Sequence, residues 1–360
     1  MDPVHQVEAA LDAVIQQGRA PGLQYVVVDP TSILLEHQAG SADIAGLRPM
    51  RGGTTMMAYS MSKTITAAAV IQLVESKHVG LEDPIARYLD WQPYGREVTV
   101  RQLFSHTSGI PNPIPLRWVH PASAREAFNE RAALMHVLEQ HGRLAFAPGT
   151  KFAYSNLGYW LLGAIVERAI GEPFTTHVAD SIIRPLGLGG HELGYEIADP
   201  AEHAVGYLEK WSMMNVIKRW LIDPALIGKY EGAWLQIRDH YVNGPAFGGL
   251  VGTATAFGRF MQDQLRDHSR LFRDLRAREL LVQQQRTTKG TIPMTLGWHC
   301  GASGVVQYLF KEGGGGGFHC MMRLYPQWRI GTVLMANATG VKVSEVLDRI
   351  DSLSLRAFCG

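Results

Sequence analysis

Ser60 and Lys63 stand three residues apart at the head of an apolar run, Thr64 to Val74, whose composition predicts a helix. Residues so spaced share a helix face, so the amine can take a proton from the hydroxyl, while unpaired N–H groups at the helix start can meet a developing oxyanion. The tetrad alone is weak, since 16 Ser and 9 Lys among 360 residues give about 0.4 chance matches.

Lysine acts as a base only when neutral, so its ordinary pKa of ~10.4 must be lowered by burial and a nearby cation. Lys311 is the candidate for that cation. Tyr154, Ser155 and Asn156 follow Pro148, Gly149 and Thr150 and precede an apolar helix, Tyr159 to Ala169, which places them in a loop facing a cleft. A phenol between two lysines is expected to have its pKa of ~10 drawn down and to shuttle protons between Ser60 and a leaving group. Asn156 can hydrogen-bond Lys63 or a substrate carbonyl. Tyr241 with Asn243 repeats the spacing, but the loop before a helix favours Tyr154.

Lys311, Glu312 and Gly313 end a β-run and open five consecutive glycines. Glycine lets a substrate lie against backbone, and a strand edge at Gly313 to Gly315 can donate a second oxyanion N–H. The plainer alternative is a flexible hairpin turn.

The elements that must position these residues follow from periodicity. Val4 to Gln17 has helical spacing; Leu23 to Val28 and Ile33 to Glu36 read as a hairpin around Asp29 and Pro30. Strands are expected again at Leu296 to His299, Val305 to Phe310, His319 to Tyr325 and Ile330 to Ala336, before a last helix, Ser344 to Leu355. Strands at both ends imply one sheet built from both termini, giving an α/β domain over 1–80 and 245–360 with a helical domain inserted at 81–244. A cleft between the two is the expected site.

Hydrophobic content of 46% and charge of 19% fit a folded globular chain, and a net charge of +1 gives no reason to expect nucleic acid. Cys300, Cys320 and Cys359 are too few for a disulfide framework and read as buried thiols in a reducing compartment. His299 with Cys300 and His319 with Cys320 do not suggest zinc, because neighbours on a strand point to opposite faces. Met1 to Ala10 lacks the basic start and apolar stretch of an export signal, and no uncharged apolar run reaches the ~20 residues of a membrane span, so a cytoplasmic location is expected. Trp211, Met213, Met214, Trp220, Ile222, Leu226 and Trp234 gather aromatic and flexible apolar side chains that either roof an acyl pocket or fill a core. His106 reads as structural, Asp43 and Asp83 as turn residues, and Ser62 as a bystander.

Taken in order, these motifs resemble the serine β-lactamase superfamily, in particular its class C branch and the family VIII-type carboxylesterases. The likeness extends over Tyr59 to Asp90, Val98 to Ile110 with His106-Thr107-Ser108-Gly109, Phe146 to Gly171, Pro185 to Gly187, Gly248 to Ala254 and Lys311 to Phe318. It implies a β-lactamase/transpeptidase-like fold, α/β plus all-α, with an antiparallel sheet flanked by helices. It also implies acyl-enzyme chemistry without metal or cofactor. Ser60 would be the nucleophile, Lys63 and Tyr154 the acid/base pair, and Asn156 and Lys311 polar support. The oxyanion donors would be the N–H groups of Ser60 and of Gly314, just after Gly313. Penicillin-hydrolysing relatives usually carry Lys-Thr-Gly where this chain has Lys311-Glu312-Gly313, which weakens an antibiotic reading. The expected activity is cleavage of a small carboxylic ester. A β-lactamase, a D-amino acid peptidase or amidase, and a non-catalytic binding protein are the alternatives.

Overall fold

The computed structural model describes residues 2–113, 118–213, 215–216 and 222–359. Helix α1 (Pro3–Gln16) begins where the Asp2 carboxylate accepts the Val4 N–H, and it buries Val7, Ala10, Leu11 and Val14. Strands β1 (Gly22–Val28) and β2 (Ile33–Asp43) form the first hairpin, with β3 (Arg48–Pro49) on its outer side. Helix α2 (Ser62–Glu75) is buried nearly all round, which its run of Ala, Val and Ile allows. Helix α3 (Asn156–Ile170) starts at Ser155, whose Oγ accepts the Gly158 N–H, and stops at Gly171 in the left-handed region.

Strands β4 (Gly206–Glu209), β5 (Ile227–Glu231) and β6 (Trp234–Ile237) lie within the insert, and helix α4 (Ala254–Leu265) leads out of it. The chain ends with β7 (His299–Ser303), β8 (Val306–Gly315), β9 (Phe318–Tyr325), β10 (Ile330–Ala336), β11 (Ala338–Thr339) and helix α5 (Val343–Cys359).

The main sheet is antiparallel, in the order β7-β8-β9-β10-β1-β2-β3. Its two halves meet where Leu23 pairs with Ala336 and Val28 with Gly331. Every residue of β1 is buried because both faces are covered. Alternation sends Leu23, Tyr25 and Val27 into the core shared with α1 and α5, and Val26 and Val28 into the core that contains α2.

Three expectations are corrected. The insert is not purely helical: β4, β5 and β6 join β11 in a second sheet, ordered β11-β4-β6-β5. Strands of four or five residues are too short for a clear alternation. The strand expected at Leu296 begins only at His299. Lys311 to Gly313 do not end a β-run, because β8 continues to Gly315 and the chain reverses at Gly316 and Gly317, the latter at φ 88°. No helix among the described residues is long and apolar enough to cross a membrane.

Candidate active site

Ser60 sits in a single 3₁₀ turn, Tyr59–Met61, that runs directly into α2. Tyr59 holds a left-handed φ of 44°, a conformation a side chain adopts only when its surroundings compensate. Lys63, on the first turn of α2, brings Nζ to 2.8 Å from Ser60 Oγ. The same amine lies 2.7 Å from Asn156 Oδ1, at the first position of α3, and 2.5 Å from the carbonyl oxygen of Phe247. Tyr154 donates its hydroxyl to Ser60 Oγ at 2.9 Å from the loop before α3.

The partners fix where the protons go. Two of the Lys63 contacts are carbonyl oxygens, which only accept, so a neutral amine spends both N–H groups on Asn156 and Phe247. Its lone pair is left facing the Ser60 hydroxyl. That is the arrangement a general base needs.

Burial supplies the neutrality. The Lys63 pKa is held well below its ordinary value, chiefly by desolvation and secondly by the charge of Lys311. Lys311, on β8, is itself wholly buried, and burial pushes it down to about 7. Its Nζ is 5.5 Å from the centre of the Tyr154 ring and has no hydrogen-bond partner among the described residues. Tyr154 contradicts the expectation of an acidified phenol. Desolvation raises its pKa above the ordinary value, outweighing the Ser60 hydrogen bond, and Glu312 adds to the rise. Burial is the dominant influence on the phenol, so Tyr154 stays protonated and can give a proton rather than take one.

His106 packs on the Tyr154 ring at 4.4 Å, and its Nδ1 accepts the Ser155 N–H at 3.1 Å. Its own carbonyl accepts the Ala153 N–H. It therefore shapes the Tyr154 loop from both ends. Ser62 Oγ accepts the Leu250 N–H at 3.0 Å, a tie between α2 and the segment leaving the insert.

The Lys311 geometry carries a stability prediction. A lysine whose folded pKa is about 7 against an ordinary 10.5 is penalised fully below pH 7 and not at all above 10.5. Stability from this group therefore rises with pH across that window, because the unfolded chain binds the extra proton. Lys311→Met should raise the melting temperature near pH 6 by several degrees and make the climb toward pH 10 shallower. Thermal unfolding as a function of pH reads both.

The glycine strand faces the turn that carries Ser60. β8 pairs with β7 only as far as His299 opposite Phe310, so Lys311 to Gly315 form a free edge on that side. A Cβ at Gly313 would come within 2.1 Å of the Ala58 carbonyl oxygen, so only glycine lets the strand approach this closely. Gly314 lies opposite His319 of β9 and lines the same cavity as Ser60. Glu312 is exposed on the face opposite Lys311 and Gly313, where it meets His319 Nε2 at 2.7 Å.

That cavity, about 430 Å³ in volume, is walled by Trp118, Val119, Leu208, Ile222, Leu226, Ile237, Val242, Phe247 and Phe318. Tyr59, Asn156, His240, His319 and Thr339 supply the polar groups of its lining, and no Lys, Arg, Asp or Glu does so among the described residues. Of the expected pocket wall, Trp211 is 83% exposed and Trp234, on β6, is not part of the lining. Met214 and Trp220 lie outside the described residues. Ile222 and Leu226 do line the cavity. Trp118, Phe247 and His240 carried no signal, because they come from a bend, a one-turn helix and a short strand far apart in the chain; Tyr59 was legible only as the neighbour of Ser60. No group of His, Cys, Asp and Glu suited to a metal occurs among the described residues.

Comparison with known proteins gives the family and the fold. A family model described as Beta-lactamase matches residues 7–355. Esterase EstB from Burkholderia gladioli is 32% identical over 215 residues, covering 56% of this chain and 54% of EstB. Penicillin-binding protein 4* from Bacillus subtilis (strain 168) is 34% identical over 157 residues, 43% of this chain and 34% of that protein. The chain thus matches about half or less of the length of these relatives. Among solved structures, D-amino acid amidase from Ochrobactrum anthropi SV3, complexed with D-phenylalanine, superposes with a TM-score of 0.83 at 21% identity, over 99% of this chain and 100% of the amidase. D-alanine carboxypeptidase AmpC from Burkholderia cenocepacia gives 0.73 at 22% identity, over 97% and 98%. These two likenesses concern the fold. With the family model spanning nearly its whole length and the sheet, helices and insert in place, the chain belongs to the Beta-lactamase family.

Proposed function

We propose that this chain is a serine hydrolase that cleaves neutral carboxylic esters bearing an apolar group. In this reading Ser60 attacks the acyl carbon while the Lys63 lone pair takes its proton. The N–H groups of Ser60 and Gly314 receive the oxyanion, Tyr154 passes a proton to the leaving alcohol, and water then releases the acid. Asn156 holds Lys63 in place, and Lys311 keeps it neutral.

The observation that carries the ester reading is the character of the cavity at Ser60: its walls are apolar and its described lining holds no charged side chain. A free D-amino acid amide brings an ammonium that calls for a carboxylate, and a β-lactam brings a carboxylate that calls for a cation. A neutral ester needs neither. EstB offers one esterase among the relatives. The competing D-amino acid amidase reading rests on a likeness of fold.

A panel of p-nitrophenyl acyl esters, nitrocefin and D-amino acid amides tests the proposal. The esters should be turned over with the highest kcat/KM; faster turnover of a D-amino acid amide or of nitrocefin would overturn it. Filling the cavity should move acyl preference. Ile237 is buried in the wall, and Ile237→Trp should cost the longest accepted acyl ester ~10-fold or more in kcat/KM relative to acetate. An unchanged chain-length profile would place the acyl group elsewhere.

A further inference from the structure

We propose that the Tyr59 hydroxyl is a positioning group that sets the spacing between the two oxyanion N–H donors, and so controls transition-state stabilisation without exchanging a proton with substrate. The inference rests on the reading of Ser60 as nucleophile and of the Ser60 and Gly314 N–H groups as the donor pair. Those donors come from separate parts of the chain, a helical turn and a sheet edge. Their separation is fixed only by how the turn docks on the strand.

Tyr59 is that docking element. Its ring lies across Gly315, where a Cβ would come within 2.3 Å of Tyr59 Cε1. Its hydroxyl donates to the Gly316 carbonyl at 2.9 Å and stands 2.8 Å from His240 Nε2. His240 Nδ1 is 2.9 Å from the Arg238 carbonyl, which only accepts, so Nδ1 carries the ring proton and Nε2 presents a lone pair. One phenolic proton is thus shared between two acceptors, one in the turn that immediately follows the oxyanion strand and one on the short strand His240–Val242. At Gly316, too, a side chain would crowd His240, with a Cβ 3.2 Å from its Cε1. The glycine run is therefore a groove cut for Tyr59 and His240 rather than a loose turn.

A second tie brackets the donor from the other side. The Cys320 thiol lies 3.2 Å from the Ala58 carbonyl and 3.3 Å from the Gly313 carbonyl. Ala58 and Tyr59, the two residues before Ser60, are thus tied to Gly313, just before Gly314, and to Gly316, two residues after it. The left-handed φ of Tyr59 lets its ring turn toward the strand while Ser60, the next residue, lines the cavity. Relaxation of that residue moves the Ser60 N–H directly.

Tyr59→Phe keeps the ring over Gly315 and removes only the hydroxyl. On a p-nitrophenyl ester it should lower kcat ~10- to 100-fold, somewhat less than loss of a whole oxyanion donor, with KM changed less than ~2-fold. Affinity for an alkyl boronic acid, which forms a tetrahedral adduct on the serine, should fall by a similar factor. Unchanged kcat and boronate affinity, or a change confined to KM, would overturn the proposal. Should Tyr59→Phe not fold, two His240 variants decide: Leu should reproduce the kcat loss, and Gln, whose amide can accept where Nε2 did, should restore most of it. Equal behaviour of the two overturns the role. Fluorophosphonate labelling of Ser60→Ala checks the underlying nucleophile separately, since labelling there refutes Ser60 whatever Tyr59 does.

Discussion

Ser60→Ala abolishes turnover of p-nitrophenyl butyrate and covalent labelling by a fluorophosphonate, while the protein stays folded. The expectation follows from what the substitution removes: one oxygen that receives the Tyr154 hydroxyl and faces the Lys63 amine. Asn156 and the Phe247 carbonyl still hold Lys63. The cost is one hydrogen-bond partner each for Tyr154 and Lys63, about 1–3 kcal/mol. A melting temperature within several degrees of the parent is therefore expected alongside total loss of activity. Labelling that survives would move the nucleophile to another residue.

Loss of either proton-transfer group is the next largest effect. Lys63→Ala and Tyr154→Phe should each lower kcat by on the order of 10² to 10⁴, the usual contribution of a placed acid or base. The pH profile separates their roles. A base must be deprotonated, so kcat/KM falls as pH drops through the lowered amine pKa, and the limb belongs to the coupled Lys63–Lys311 pair. Lys311→Met removes the repulsion that helps keep Lys63 neutral, so the acid limb should shift to higher pH. Tyr154→Phe should reduce the plateau and leave the acid limb where it was. A limb that ignores Lys311→Met would show that the two amines are not coupled, and parental rates in Lys63→Ala or Tyr154→Phe would remove that residue from the mechanism.

Strands of the main sheet were legible where mostly apolar residues ran for six or more positions between turn signals. Ile330 to Ala336 is an example that the structure matches residue for residue. The strands of the insert were not, since Gly206–Glu209 and Trp234–Ile237 are only four residues long, and Gly206–Glu209 gains its partners from Trp234–Ile237 and Ala338–Thr339, far along the chain. Ser60, Lys63, Tyr154 and Asn156 could be picked out by spacing, and the folded chain brings them within hydrogen-bonding distance of one another. The sense of the Tyr154 pKa shift could not be read. It depends on how completely the phenol is removed from water, a property of the whole fold. Apart from Ile222 and Leu226, the cavity wall was hidden as well, because Trp118, Leu208, Ile237 and Phe247 converge from elements with no common pattern.

The pairing of Leu23 with Ala336 has a consequence for how this protein is made. The neighbour of β1 on one side emerges from the ribosome more than three hundred residues after β1 itself. The ribosome therefore releases a chain in which this inner strand waits with one edge bare and five apolar side chains, those of Leu23, Tyr25, Val26, Val27 and Val28, unburied until that partner is made. Contacts so distant in sequence are slow to close, and unpaired strands invite association with other chains. Low yield of soluble protein at high expression rates, eased by slower synthesis or added chaperone, is the behaviour this topology dictates.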